Sequence, residues 1–390
     1  MFPQFCTHRV RSQKATARNR RCANRTLGCI CSKPYVRITV LLARMEPIRY
    51  HDLVLQQLPY ACLASLLITS IAGCGGTEKR TAASASAPEK THITIGLAVP
   101  GATYLPIYLA SDAGLFAKEG LQANLVEFRG GSDLIKAIAS GSVDFGVVSL
   151  AEVTMGIDAG QPLKAFYAGF NVPDFDWYAV SSIQSLAAAK GKRFGITLYG
   201  SSSDYLTRYV LSVNGIDPGK DAQIIQSGQP ATRLAAMRAG QLDVSIFSGP
   251  EKLMAADRGY NRIYSQKDLA DDYPYHVIFA MQPFLSANPN TVKALLRAHV
   301  MAVRLSKLDK PRAEASLIKH LHIDPKYVSR TYDGFIEYIY EDGRLPSQKA
   351  LDLFFDMGIQ VGRYKERWPL AKYWTPIYVD SYSQWKPAST

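Results

Sequence analysis

The sequence predicts an α/β protein of two lobes, each a mainly parallel sheet flanked by helices. Two patterns predict it. Short β-branched runs alternate with helical runs that stop at glycine. The chain also carries an internal echo: residues 137–152, AIASGSVDFGVVSLAE, align with residues 236–251, AMRAGQLDVSIFSGPE, at a constant offset of 99. Ala137/Ala236, Gly141/Gly240, Asp144/Asp243, Ser149/Ser248 and Glu152/Glu251 are identical pairs. In each copy a helix stops at glycine, aspartate opens a buried strand, and the strand runs into Ser-x-x-Glu.

The elements follow in order. HITIGLAV (92–99) reads as a buried strand bounded by Pro100-Gly101. LPIYLASDAGLFAKEG (105–120) reads as a helix ending near Gly114 and Gly120, and QANLVEF (122–128) as the second strand. GGSDLIKAIASG (130–141) is a short helix with Ser132 as N-cap and Gly141 as the residue after its end, and VDFGVVS (143–149) is the third strand. A second lobe starts near Trp177, passes through AQIIQSG (222–228) and DVSIFS (243–248), and runs to about Tyr273. YHVIFAM (275–281) returns the chain to the first lobe, and helices follow over 290–307 and 347–362. The expected division is lobe I over 92–179 plus 281–390 and lobe II over 180–280. A cleft between them is the default ligand site.

Charge and cysteine are both uneven. The formal charge is +12, but residues 1–74 hold 11 Lys+Arg against 2 Asp+Glu, and the rest of the chain 34 against 31. The basic excess therefore sits in the leader, and a near-neutral body argues against nucleic acid as a partner. All six cysteines lie at or before Cys74. The body has no disulfide, no thiolate metal site and no thiol nucleophile.

Leu58–Gly73 is apolar, uncharged and of signal-peptide length, and short for a membrane span. It runs into Ile71-Ala72-Gly73-Cys74, which resembles a bacterial lipoprotein box and makes Cys74 the expected lipidation site. Residues 45–73 are then the signal peptide, and 74–91 a flexible Gly/Ala/Ser-rich tether. Residues 1–44 read as a disordered, over-long start, with Met45 the natural first residue. The protein is expected in the periplasm or at the cell surface, lipid-anchored to a bacterial membrane.

GSSSD (200–204) stands at the mouth of a helix carrying Tyr205, Leu206, Tyr209, Val210 and Val213 and closing at Asn214-Gly215. Ser202 or Ser203 is the expected N-cap. The remaining hydroxyls, with Gly200, leave two readings open: a braced turn, or a clamp for an anion at the helix start. A nucleophile is disfavoured because no G-x-S-x-G is present, and a phosphate loop because no Gly-Lys-Ser/Thr follows. Ser149-x-x-Glu152 and Ser248-x-x-Glu251 read as capping boxes whose serines also sit where α/β sheets bind ligands. His320 and His322, at i and i+2, point apart on a helix, which argues against a metal. No catalytic residue, metal or cofactor is expected. The aromatic C-terminus reads as packing over lobe I.

These residues carry a resemblance. The region 92–385 resembles the solute-binding proteins of ABC importers for nitrate, sulfonates, taurine and thiamine-precursor pyrimidines. It does so through ITIGLAVPGATYLPIYLASDAGLFAKEGL, RGGSDLIKAIASGSVDFGVVS, LAAAKGKRFGITLYGSSSDYLTRYVLSVNGID and AAMRAGQLDVSIFSGP. The resemblance implies the two-lobed type II periplasmic-binding-protein fold, with hinge closure on a small-molecule ligand. It also implies an ABC permease in the inner membrane as partner, the bilayer through Cys74 as a second contact, and a monomer. Carried onto this chain, the ligand loops are Gly101, Ala102, Thr103 and Tyr104; Gly131 and Ser132 after Gly130; Ser149 and Ala151; Gly200, Ser201, Ser202, Ser203 and Asp204; and Ser248 and Gly249. The family's enzymes need a cysteine that this body lacks, so a binding protein is expected. Pyrimidine binders often carry Trp after the first strand, where VPGATY stands here. Converging helix starts point to a small organic anion, sulfonate-like, ahead of nitrate. Asp204 is the contrary signal: facing the cleft, it would pair with an amine and favour taurine-like zwitterions or a neutral heterocycle such as a pyrimidine.

Overall fold

The computed structural model describes residues 86–388. The over-long start, the signal peptide, Cys74 and most of the tether lie outside these residues. Two five-stranded sheets are built from β1 (His92–Leu97), β2 (Gln122–Glu127), β3 (Phe145–Val148), β4 (Leu163–Phe170), β5 (Asp176–Ala179), β6 (Arg193–Ile196), β7 (Gln223–Gln226), β8 (Val244–Phe247), β9 (Asn261–Ser265) and β10 (His276–Met281). Their orders are β2-β1-β3-β10-β4 and β7-β6-β8-β5-β9. In each, three neighbouring strands are parallel and one strand runs against both of its partners: β10 in the first sheet and β5 in the second. Those are the strands that the chain supplies as it crosses between lobes.

The lobe boundaries therefore differ from expectation. β5 belongs to lobe II and β10 to lobe I, so lobe II spans about 176–265 rather than 180–280. Residues 171–175 and 266–275 cross between the sheets. They are bonded to each other: Gln266 N–H donates to the Phe175 carbonyl at 2.8 Å, and Tyr273 N–H to the Asn171 carbonyl at 2.9 Å.

The α-helices of the described residues are α1 (Leu105–Asp112), α2 (Leu115–Lys118), α3 (Gly131–Ala139), α4 (Leu150–Asp158), α5 (Ser202–Val213), α6 (Pro230–Arg238), α7 (Pro250–Asp257), α8 (Gln282–Ala287), α9 (Pro289–Leu308), α10 (Lys310–Leu321), α11 (Pro325–Asp333), α12 (Gln348–Gln360), α13 (Leu370–Tyr373), α14 (Ile377–Asp380) and α15 (Tyr382–Trp385). The predicted first helix is broken in two because Gly114 sits at φ +66°. Gly130, not Ser132, is the N-cap of α3. The tether ends earlier than residue 91: the Glu89 carboxylate accepts from the N–H groups of Asn290 (3.0 Å) and Thr291 (2.9 Å) at the start of α9.

The echo is structural. Asp144 accepts from the Thr94 N–H of β1 at 2.9 Å, and Asp243 from the Arg193 N–H of β6 at 2.9 Å. Each aspartate pins the middle strand of its parallel trio, β1 or β6, at the start of the neighbouring strand, β3 or β8. The aromatic C-terminus packs on lobe I, where α13 and α14 lie against β4 and the Tyr378 ring meets Phe166 at 5.5 Å, while the helices before it join the lobes. α12 packs on α5, where the Tyr205 hydroxyl donates to the Phe354 carbonyl, and Arg330 of α11 lies 3.8 Å from Asp257 of α7. Phe145, Val147 and Val148 of β3 are buried on both faces, as expected of a strand covered by helices on each side.

Gly146 lies opposite Phe279 in the β3–β10 pair, and a Cβ there would overlap that ring. Gly146→Ala is expected to destabilise the protein by about 1–3 kcal/mol, read as a lower urea midpoint. Adding Phe279→Leu should restore part of the loss.

Candidate functional site

A cavity of about 310 Å³ lies between the lobes. Lobe I supplies Pro100–Tyr104 after β1, Gly130 and Gly131 at the start of α3, and Ser149 and Glu152 after β3. Lobe II supplies Ser201–Ser203 at the start of α5, Pro230 and Arg233 of α6, and Ser248–Lys252 after β8. Asp174, Phe175, Tyr275 and His276, on or beside the crossing segments, border it too, as do the exposed Arg262, Lys267 and Arg330. These are the ends of strands where open α/β sheets bind ligands.

Glu152 is the contact between the lobes. Its Oε1 accepts from the Ser202 N–H at 2.7 Å, across the cleft. It does not close a capping box in its own helix; Ser149 caps α4 alone, accepting from Ala151 N–H at 3.2 Å. Glu152 Oε2 is buried with no hydrogen-bond partner among the described residues. Burial raises the carboxyl's pKa above the usual range, and the Ser202 N–H opposes that rise. Gly131 is needed for this placement, because a Cβ there would fall 2.8 Å from Glu152 Cδ.

The serines of 200–204 brace their own turn. Ser201, not Ser202 or Ser203, is the N-cap of α5, and its side chain makes no capping bond. Its hydroxyl donates to the Leu198 carbonyl at 2.7 Å and meets Ser203 Oγ at 2.9 Å. Ser203 Oγ accepts from Thr197 N–H at 2.9 Å. Asp204 faces its own turn, not the cavity: Gly200 N–H donates to it at 2.9 Å and Arg208 Nε at 2.7 Å.

On the opposite wall, α7 starts after Gly249 with no side-chain cap, so Ser248-x-x-Glu251 is not a capping box either. Burial lifts the Glu251 pKa to about 7, against a smaller opposing pull from Arg233. Arg233 is itself buried, which lowers its pKa to about 10. It donates to neutral groups: the Thr197 (2.8 Å) and Ser245 (3.1 Å) hydroxyls and the Gly228 (2.6 Å) and Ile246 (2.8 Å) carbonyls. Lys252 is paired with Asp174 at 2.6 Å and lies 3.7 Å from Asp176.

The third side is aromatic. His276 stacks on Tyr104 at 4.6 Å and 18°, and its Nδ1 hydrogen-bonds with Thr103 Oγ1 at 2.8 Å. Burial depresses its pKa to about 3, so it is neutral. Tyr275 lies 4.2 Å from His276 and 5.1 Å from Phe175, ring to ring.

Of the expected ligand residues, Gly101, Ala102, Thr103, Tyr104, Gly131, Ser149, Ser201, Ser202, Ser203, Ser248 and Gly249 border the cavity. Ser132, Ala151, Gly200 and Asp204 do not. Ser132 opens on a separate inter-lobe groove with Arg129 and Tyr199, Ala151 is buried in α4, and Gly200 packs against Met155. The sequence reading missed Glu152 and Glu251 as cavity groups, although the repeated Ser-x-x-Glu marked both. Arg233, Asp174 and His276 carried no such mark.

Residues 86–321 match the model of the NMT1-like family. The chain belongs to that family. YtlA of Bacillus subtilis is 24% identical over 258 residues, covering 62% of this chain and 71% of that protein. A Brucella abortus relative is 26% identical over 193 residues, covering 48% of this chain and 58% of its own length, so the match spans little more than half of that relative. The solved structure of the alkanesulfonate-binding protein SsuA from Xanthomonas axonopodis pv. citri superposes with a TM-score of 0.62 at 20% identity, over 74% of this chain and 99% of that one. The NMT1-like chain described here thus has the two-lobed fold of the periplasmic binding proteins, as the resemblance implied.

Glu251 gives a pH test. Its pKa is about 7 folded and about 4.5 when unfolded. A raised folded pKa contributes stability that is full below about 4.5 and is lost as pH rises through 7. Glu251→Gln should therefore be more stable than wild type at pH 8, by on the order of 1–2 kcal/mol because the carboxyl is partly open to the cavity, and lose that advantage by pH 5. Urea unfolding at both pH values measures it.

Proposed function

We propose that this protein is an extracytoplasmic solute-binding lipoprotein of an ABC importer. It captures a small solute between its lobes and presents it to a membrane permease. The supporting observation is the cavity, walled by matched strand ends of both lobes, with two segments running between the sheets among the described residues. Those segments act as hinges, and closure brings Glu152 to Ser202. The similarity to SsuA supports a sulfonate-like anion as solute, as do the converging starts of α3, α4 and α7. The start of α5 offers less, because Glu152 already occupies it. A second reading is a protein of the same fold that senses or transforms its solute. Neighbouring genes for a permease and an ATPase, if found, would favour the first.

A thermal-shift panel of sulfonates, nitrate, carboxylates, aminopyrimidines and amines tests the receptor. At least one class should raise the melting temperature in proportion to the logarithm of its concentration, through mass action. Silence across the panel, or turnover of a bound solute, would count against it.

Anchoring at Cys74 is tested by fractionation in a bacterial host. The wild-type chain should partition with membranes and Cys74→Ala should lose its acyl group. Equal release of both into the soluble fraction argues against the lipid anchor.

A further inference from the structure

The buried charges of the cavity favour a different solute from the one its helix starts favour. Four carboxylates border it: Glu152, Asp174, Asp176 and Glu251. Lys252 serves Asp174 and Asp176. Glu152 and Glu251 have no cation within salt-bridge distance among the described residues, and Glu152 Oε2 is buried with no partner at all. Arg233, the buried cation of the wall, gives four of its five N–H groups to two hydroxyls and two carbonyls, and the other cations of the lining besides Lys252, namely Arg262, Lys267 and Arg330, are exposed. An added anion at the buried end would enter beside two carboxylates that have no ion-pair partner, and burying like charges together is costly. A cationic N–H group would supply both the missing donor and the missing charge.

We propose that Glu152 and Glu251, at matched positions of the two lobes, form a two-sided clamp for a solute carrying a cationic N–H group: an ammonium, amidinium or guanidinium. The inference rests on the receptor reading above and replaces its sulfonate-like anion with a cation-bearing solute. Two further features fit. Tyr104, Phe175 and Tyr275 give the cavity aromatic faces, which attract cations. The neutral His276 beside them adds no opposing charge. The volume of about 310 Å³ suits a small molecule.

The test is calorimetric titration of the full chain at pH 7.5 with ethanolamine, agmatine and benzamidine, against ethanesulfonate and nitrate. At least one cationic probe is expected to bind. Glu152→Gln and Glu251→Gln should each weaken it tenfold or more, while their circular dichroism spectra match wild type. Glutamine keeps an acceptor oxygen for the Ser202 N–H, so the Glu152 variant separates charge from lobe contact. If one variant fails to fold, the other decides. Binding of ethanesulfonate or nitrate without any cationic probe overturns the clamp and leaves the receptor reading standing. So does a cationic probe bound equally well by wild type and both variants. Silence from all five probes also overturns the clamp, whereas the receptor reading survives that result unless the wider thermal-shift panel is silent too.

Discussion

The hydrogen bond from the Ser202 N–H to Glu152 is the contact around which the inter-lobe site is arranged. It joins the start of a lobe II helix to a carboxylate on the first turn of a lobe I helix, and several neighbouring residues are shaped by it. Gly131 has no Cβ because the Glu152 side chain passes there. Gly130 has none because Leu198 of lobe II stands 2.6 Å from where it would lie. Gly200 sits at φ +79° with Met155 2.7 Å from its Cβ position. The glycine pair before α3 and the glycine before α5 are thus two halves of one close approach. Ser201 and Ser203, bonded to each other and to Leu198 and Thr197, hold the turn so that the Ser202 N–H is the free donor.

Duplication explains why this contact has an asymmetric counterpart. Both lobes follow one plan, down to aspartates that tie β3 to β1 in one and β8 to β6 in the other. Glu152 and Glu251 are equivalent under that plan, but only Glu152 meets a helix start. Glu251 meets the neighbourhood of Arg233, and a buried guanidinium bonded to carbonyls and hydroxyls attracts it without pairing. The same side chain in the same position thus becomes a lobe contact in one half and an open cavity group in the other.

How much of this was legible follows from the range of each interaction. The alternation of strands and helices, the glycine stops and the echo at offset 99 are local patterns, and all reappear in the sheets. The exchange of β5 and β10 is not local, so the lobe limits were misplaced by several residues: a strand's sheet is decided by its partners. Ser-x-x-Glu was read as a capping box because that is the nearest use for glutamate at the third helical position. The partner that claims Glu152 lies 50 residues further on, in the other lobe. Asp204 shows the reverse case, where a carboxylate suspected of facing the cleft is held by its own turn and by Arg208, four residues along. Arg233 gave no signal because nothing in its neighbours announces that a helix arginine is buried.

The lobe contact also bears on closure. When the lobes separate, water solvates both Glu152 oxygens. When they meet, Oε1 gains a charge-assisted bond of roughly 1.5–3 kcal/mol, and Oε2 is left buried and unpartnered at a cost of about 1–3 kcal/mol, or more for a charged group. The cost opposes the gain, so the carboxylate by itself does not drive closure. The C-terminal helices restrain the range of motion, since α12 and α11 touch lobe II while belonging to lobe I. A solute that satisfies Oε2 removes the cost and keeps the gain. Its differential affinity then becomes the quantity that shifts the lobes toward closure, which is what a ligand-driven hinge requires.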